Sequence, residues 1–296
     1  MSLTRQLRTP GTPVRLFFDT HFDDRLFSRF VREVQAVQRS WGEPVAPLLA
    51  DASEAWVVGT AFDYLVRADT WGVDPTDTVA YTGLLILVTL GLKDSDIDRL
   101  RRCWQELVEV WPRAGQDEAL LYHLVVVLAW YESIRRSALL PQGLQEAIKH
   151  GLSLDQLIEL VNPLVVQDLK QLLEAYRATM RPKWVDAEAV LNPVFFHSIE
   201  VGGADADWIV EQTLWELKTT INPRKNLGQL VKQLVGYLLL DAIEEYRIAE
   251  VAVYYSRFAK SLSWPVQELL ARVSGCDRSL EEWRLLWQHQ VLGLEP

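Results

Sequence analysis

Asp205-Ala-Asp-Trp-Ile-Val-Glu-Gln-Thr-Leu-Trp-Glu-Leu-Lys218 holds two short runs of β-forming residues around a polar pair, Glu211-Gln212. If that pair is the turn of a hairpin, Val210 faces Thr213, Asp207 faces Glu216 and Asp205 faces Lys218. A longer loop centred on the same point keeps this pairing. Side chains alternate across a strand, so Asp205, Asp207, Glu216 and Lys218 share one face, and Trp208 and Trp215 oppose each other on the other. Directly opposed residues have Cβ atoms roughly 4.5–5.5 Å apart, and like charges so placed repel. Asp207 against Glu216 therefore asks for a positive charge between them. A divalent cation satisfies that need, because Mg²⁺ takes one or two carboxylates together with water and phosphate oxygens.

The surroundings of the hairpin read as an α/β domain. Asn192-Pro193 marks the start of a β-rich run, Val194-Phe-Phe-His-Ser-Ile-Glu-Val201, and the spacing predicts a helix over 228–240 and a strand over 248–255. Helices over 267–273 and 280–288 close the chain. Upstream, residues 1–16 read as an irregular arm with Arg5, Arg8 and Arg15. Apolar spacing then predicts a helix over 23–38 and a second from Ala50 to Arg67. Residues 76–180 are helical in pattern, with Leu120 to Trp130 apolar nearly all round and so buried. Asp94-Ser-Asp caps the helix running to Trp111, and Arg181-Pro182 ends the helical stretch. The chain thus divides into residues 1–75 (arm and first core helices), 76–180 (a helical insertion) and 181–296 (the α/β core and closing helices).

The 296 residues carry a net charge of −10 and are 49% hydrophobic. That balance describes a folded globular protein and excludes a basic coat that grips nucleic acid over its whole surface. A local exception follows the hairpin: nothing acidic lies between Glu216 and Asp241, while Lys218, Arg224, Lys225 and Lys232 all do. Arg224, Lys225 and Lys232 are the candidate phosphate contacts. Cys103 and Cys276 form no disulfide framework, no signal peptide is visible, and the apolar run 79–92 is too short for a bilayer. A cytoplasmic protein away from the membrane is expected. Phosphate loops, dinucleotide fingerprints, nucleophile elbows and zinc-protease motifs do not occur.

Gly202-Gly-Ala-Asp-Ala-Asp-Trp-Ile followed by Leu214-Trp-Glu-Leu-Lys-Thr219 resembles the motif of the PD-(D/E)XK nuclease superfamily. Gln233-Leu-Val-Gly-Tyr237, with its ends at i and i+4 on one helix face, is similar to the QxxxY element of the RecB-type branch. Val58-Gly-Thr-Ala-Phe-Asp-Tyr-Leu-Val66 resembles that branch's first-helix motif, with Asp63 where the family usually carries a metal-binding histidine. The resemblance covers about residues 54–68 and 194–258. It implies a core of helix, three strands, helix and strand, with a helical N-terminal arm and a large helical insertion. It also implies a Mg²⁺- or Mn²⁺-dependent phosphodiesterase, with DNA favoured over RNA. Asp207 and Glu216 would hold the metal, with Asp205 or Asp63 assisting. Lys218 would position the nucleophile, and Gln233 and Tyr237 would orient substrate or lysine. Such proteins act in DNA repair or in defence against foreign DNA, usually beside a helicase, ATPase or other partner.

Plainer readings stand beside these. The acidic face could be a solvated strand face with cross-strand ion pairs, and the domain an inert scaffold whose helical part docks a partner. His197 reads as structural, and Asp94, Asp96 and Asp98 as helix capping rather than a calcium loop, because Arg99 and Gln105 stand where such a loop needs glycine and glutamate.

Overall fold

A computed structural model describes residues 1–49 and 54–294. The chain falls into two compact units, one made of Met1–Pro44 with Ala187–Pro296, the other of Val45–Asp186. These divisions replace the expected ones at 75 and 180.

The second unit is helical. It comprises α4 (Ala55–Thr70), α5 (Val79–Leu85), α6 (Asp94–Ala114), α7 (Glu118–Ser137), α8 (Gln142–His150), α9 (Leu154–Ile158), α10 (Pro163–Thr179) and α11 (Arg181–Trp184), counting named α-helices among the described residues. α7 is its axis: Leu121 and Leu124 to Tyr131 are buried, as their all-round apolar pattern requires. α5 approaches α7 so closely that a Cβ on Gly83 would lie 1.9 Å from the Tyr131 carbonyl oxygen. Residues 50–53 of the expected second helix lie outside the described residues; the rest forms α4. Three local expectations change. Lys93, not Asp94, precedes α6, so Asp94 and Asp96 stand in the first turn, where carboxylates favour the helix dipole. α6 also continues past Pro112 to Ala114. Pro182 opens the one-turn α11, since proline fits the first turn of a helix, where its missing N–H costs nothing.

The first unit is α/β. It begins with α1 (Leu3–Arg8), α2 (Pro13–His21) and α3 (Asp24–Arg39), then resumes with β1 (Ala189–Leu191), β2 (Trp208–Val210), β3 (Thr213–Lys218), α12 (Leu227–Leu240), β4 (Glu250–Tyr255), β5 (Lys260–Pro265), α13 (Val266–Ser274) and α14 (Leu280–Val291). The five strands form one mixed sheet in sequence order; β3 and β4 are parallel, joined through α12, and the other neighbours are antiparallel. One face packs on α12 and α13 through Ile209, Leu214, Val251 and Val253. The supposed irregular arm belongs to this core: Leu3, Leu7 and Val14 join the same apolar cluster, with Phe17 and Phe18 of α2 and Trp283 and Trp287 of α14. Among the described residues no helix is long and apolar enough to cross a membrane.

The β-rich run 194–201 is not a strand. Only Val194 pairs, as an isolated bridge to Asp205, and the first strand lies upstream at 189–191. The chain after Phe195 curls into a turn. The Ser198 amide donates to the Phe195 carbonyl (2.9 Å), the Gly203 amide to the Ser198 carbonyl (2.8 Å) and the Ala204 amide to the Ser198 hydroxyl (2.8 Å). Gly202 has φ +76° and a Cβ there would lie 2.3 Å from the Met1 carbonyl oxygen, so the turn needs glycine. Two glycines and a hydroxyl outweigh the β propensity of eight residues.

Candidate active site

The hairpin has the anticipated register over the three pairs next to the turn, while the expected pairs Asp207–Glu216 and Asp205–Lys218 are not part of the ladder. Trp208 pairs with Trp215, Ile209 with Leu214 and Val210 with Thr213. Glu211-Gln212 makes the tight turn, with Glu211 in the left-handed region at φ +55°. The regular ladder stops at Trp208. Beyond it the Asp207 side chain takes over, its Oδ2 accepting from the Leu217 amide at 2.6 Å, beside Glu216.

Alternation along β3 puts Leu214, Glu216 and Lys218 on the face turned to α12. Glu216 is buried there at 4% exposure. Its Oε1 is ion-paired to the Lys218 ammonium and accepts from Gln233 Nε2 at 3.3 Å. Gln233 Nε2 also donates to the Tyr237 hydroxyl at 2.5 Å, which in turn donates to the Asp205 carbonyl at 2.7 Å. A polar chain therefore runs Lys218, Glu216, Gln233, Tyr237, Asp205 backbone, from the sheet across one helix face and back to the strand before it. Burial, then the Glu216, Asp207 and Asp205 carboxylates, push the Tyr237 hydroxyl well above the usual tyrosine range, against the donation from Gln233. Asp205 is exposed and Asp207 half-buried.

The donor types suit a hard cation: the carboxylate oxygens of Asp207 and Glu216. Mg²⁺ is commonly held by only two carboxylates, water and substrate completing its shell. Among the described residues no group of three acid, imidazole or thiol side chains is arranged to enclose a metal. In the structure the positive charge beside Glu216 is the Lys218 ammonium, the role the sequence assigns to a cation.

The remaining candidates fare differently. Arg224 and Lys225 are exposed in the β3–α12 loop. Lys232 is corrected: it is 8% exposed, paired to Asp19 at 3.4 Å and set over the rings of Phe18 (5.8 Å) and Phe27 (5.3 Å). Burial, and then Arg15 nearby, lower its pKa. Lys232 is a core cation and no phosphate contact. Asp63 stands in a different unit from the hairpin. It belongs to the helical unit, where it is ion-paired at 2.6 Å to the buried Arg67. His197 pairs with Glu200 at 3.1 Å, in keeping with a structural role.

Two features of the site escaped the sequence. Phe195 stacks on Tyr237, with centroids 5.3 Å apart and planes at 18°, and so sets the phenol against Gln233. The Ser256 hydroxyl donates to the Thr219 hydroxyl at 3.0 Å, tying the end of β3 to the turn after β4. Thr219 is the residue after Lys218, a signal that was within reach; Phe195 had none, since its partner is 42 residues away.

Tyr237→Phe keeps the stack and removes the hydroxyl from both partners. It is expected to lower the free energy of unfolding by about 1–2 kcal/mol, read by urea titration. An unchanged midpoint would mean that the polar chain carries no load.

No family model, curated protein or solved structure matches the chain.

Proposed function

We propose that the α/β unit is a metal-dependent phosphodiesterase that cleaves DNA, and that its core follows the PD-(D/E)XK plan. The observation that carries this reading is the single-face chain of Glu216, Lys218, Gln233 and Tyr237, with Asp207 anchored at the neighbouring Leu217 amide. Acid, acid and lysine around the end of the central strand β3 is a phosphodiester-hydrolysis set. Asp207 and Glu216 would hold Mg²⁺ or Mn²⁺, with Asp205 assisting. The bound ion supplies an acidified water and a polarised phosphate.

The chain's own groups do the rest. Lys218, one-third exposed at its side chain, can leave the carboxylate and hold the attacking water or a charged phosphoryl oxygen. Gln233 holds Glu216 and, through Tyr237, the strand that carries Asp207. Tyr237 stays protonated at any ordinary pH, accepting from Gln233 and donating to the Asp205 carbonyl. Arg224 and Lys225 meet phosphates of the same strand, while the acidic remainder confines nucleic acid to that loop. A role in repair or defence, with a helicase or ATPase as partner, follows from the same reading.

The Glu216–Lys218 ion pair favours one alternative, an inert scaffold in which lysine permanently replaces the metal. Purified protein incubated with linear and circular DNA separates the two. Cutting with Mg²⁺ or Mn²⁺ that stops with chelator is the expected result. Absence of cutting on every DNA and RNA form, with either metal, would leave the scaffold.

A further inference from the structure

The loop that leaves the site does not hang free. Gln35 Nε2 of α3 donates to the Arg224 carbonyl at 3.3 Å, and Gln38 Nε2 to the Pro223 carbonyl at 3.2 Å. Trp41, just past α3, packs on Tyr255 at 5.1 Å between ring centroids, and Tyr255 is the neighbour of Lys218 in the β3–β4 ladder. The end of α3 therefore lies against both the strand end that bears Lys218 and the loop that bears Arg224 and Lys225.

This contact decides what else faces the loop. At 3.6 residues per turn, Arg32, Gln35 and Arg39 fall within an arc of about 60° on α3, to one side of its buried stripe of Phe30, Val34 and Gln38. Gln35 lies on the loop, so Arg32, one turn before it, and Arg39, one turn after it, flank the loop on the solvent side. Both are exposed. Glu33, the acid in the middle of α3, points elsewhere and is paired with Arg29 at 2.8 Å and Arg272 at 2.7 Å. Arg32 and Arg39 thus share a helix arc with the residue that holds the loop of Arg224 and Lys225, and all four are exposed in a protein of net charge −10.

We infer that Arg32 and Arg39 extend the Arg224–Lys225 loop into a strip that tracks the phosphate backbone of the DNA strand entering the Glu216–Lys218 site. The inference rests on the nuclease reading. Seven residues of helix separate the two arginines by about 10 Å, the rise of about three phosphates along one strand of a duplex. An all-phosphate strip of this kind positions a strand and reads no bases.

The test is equilibrium binding of a labelled 30-base-pair duplex, followed by fluorescence anisotropy with chelator present, at several salt concentrations between 50 and 200 mM. The wild type is compared with Arg32→Gln/Arg39→Gln. Two lost phosphate contacts reduce the slope of log affinity against log salt by about 1.8, so across that range the wild type loses roughly tenfold more affinity than the variant. Arg29→Gln, which alters the cation paired to Glu33, is expected to keep the wild-type slope. An identical slope and affinity in a variant that still cuts would overturn the strip and leave the nuclease standing. A shallower slope in a protein that never cuts would keep the strip and remove the nuclease. A wild type that does not bind the duplex at all would overturn both.

Discussion

Glu216→Gln is expected to lower metal-dependent DNA cleavage by about 10²–10³-fold while the protein stays folded. The substitution is nearly isosteric, which matters because Glu216 is 4% exposed and packed against α12. A glutamine there keeps an oxygen for the Gln233 donor at 3.3 Å but removes the charge that a divalent ion requires. Lys218→Met should cut activity to a similar extent by a different route, and the two differ in stability. Lys218 is ion-paired to a buried carboxylate, so its removal is expected to cost more stability than Glu216→Gln, which leaves an ammonium that is already one-third exposed. Added Mn²⁺ then gives a readout independent of catalysis. An ion that binds only the folded state at about 100 times its dissociation constant stabilises by about 2.7 kcal/mol. Its effect on the melting temperature is expected to be larger in Lys218→Met than in the wild type, where lysine must first be displaced, and absent in Glu216→Gln. Equal shifts in all three would sink the assignment of Glu216 as a metal ligand.

What could be read in advance was local. Two-residue periodicity and a two-residue turn determine the Trp208–Trp215 register, and helical periodicity puts Gln233 and Tyr237 on one face of α12; both need only a few neighbouring residues. What escaped was membership. Apolar spacing says that a helix buries a stripe, and not against what. Residues 54–68 read as the first core helix of the α/β fold, yet α4 buries Val58, Phe62 and Leu65 in the helical unit, and α1–α3 occupy the α/β core instead. The same limit governs single charges. Lys232 follows a basic loop and looked solvent-facing, but its partners Asp19, Phe18 and Phe27 lie some two hundred positions upstream. Asp63 was named on its position in a motif, and an arginine one turn away claims it. The run 194–201 shows the opposite failure. There a local signal, β propensity, was legible and was overruled by another local signal, the Gly202-Gly203 pair, whose positive φ closes a turn.

Arg284→Met should be among the most damaging single changes to the α/β unit, lowering its free energy of unfolding by about 3–5 kcal/mol. Arg284 on α14 is 3% exposed and spends its guanidinium on the end of α12: Nε donates to the Leu238 carbonyl at 3.0 Å, Nη2 lies 3.3 Å from Asp241 Oδ2 and Nη1 2.6 Å from Glu244 Oε1. Asp241 is fully buried and also accepts the Glu245 amide at 3.1 Å. Burial raises its carboxyl above the usual 3.8, with Arg284 pulling the other way. A raised carboxyl is protonated in the folded chain before the unfolded one, so ionising it costs stability as pH rises from about 3.8 through the raised value. Without Arg284 the carboxyl rises further and that cost grows. The deficit of Arg284→Met relative to wild type is therefore smallest in acid and largest near neutrality, which urea titrations at pH 4 and pH 7 would resolve. Asp241→Asn in the Arg284→Met background should recover part of the loss, because the charge left without its partner is gone. A deficit independent of pH and untouched by Asp241→Asn would assign the damage to lost packing of the arginine stem instead. The outcome bears on the site, since this clamp holds the end of the helix from which Gln233 and Tyr237 reach Glu216 and the Asp205 backbone.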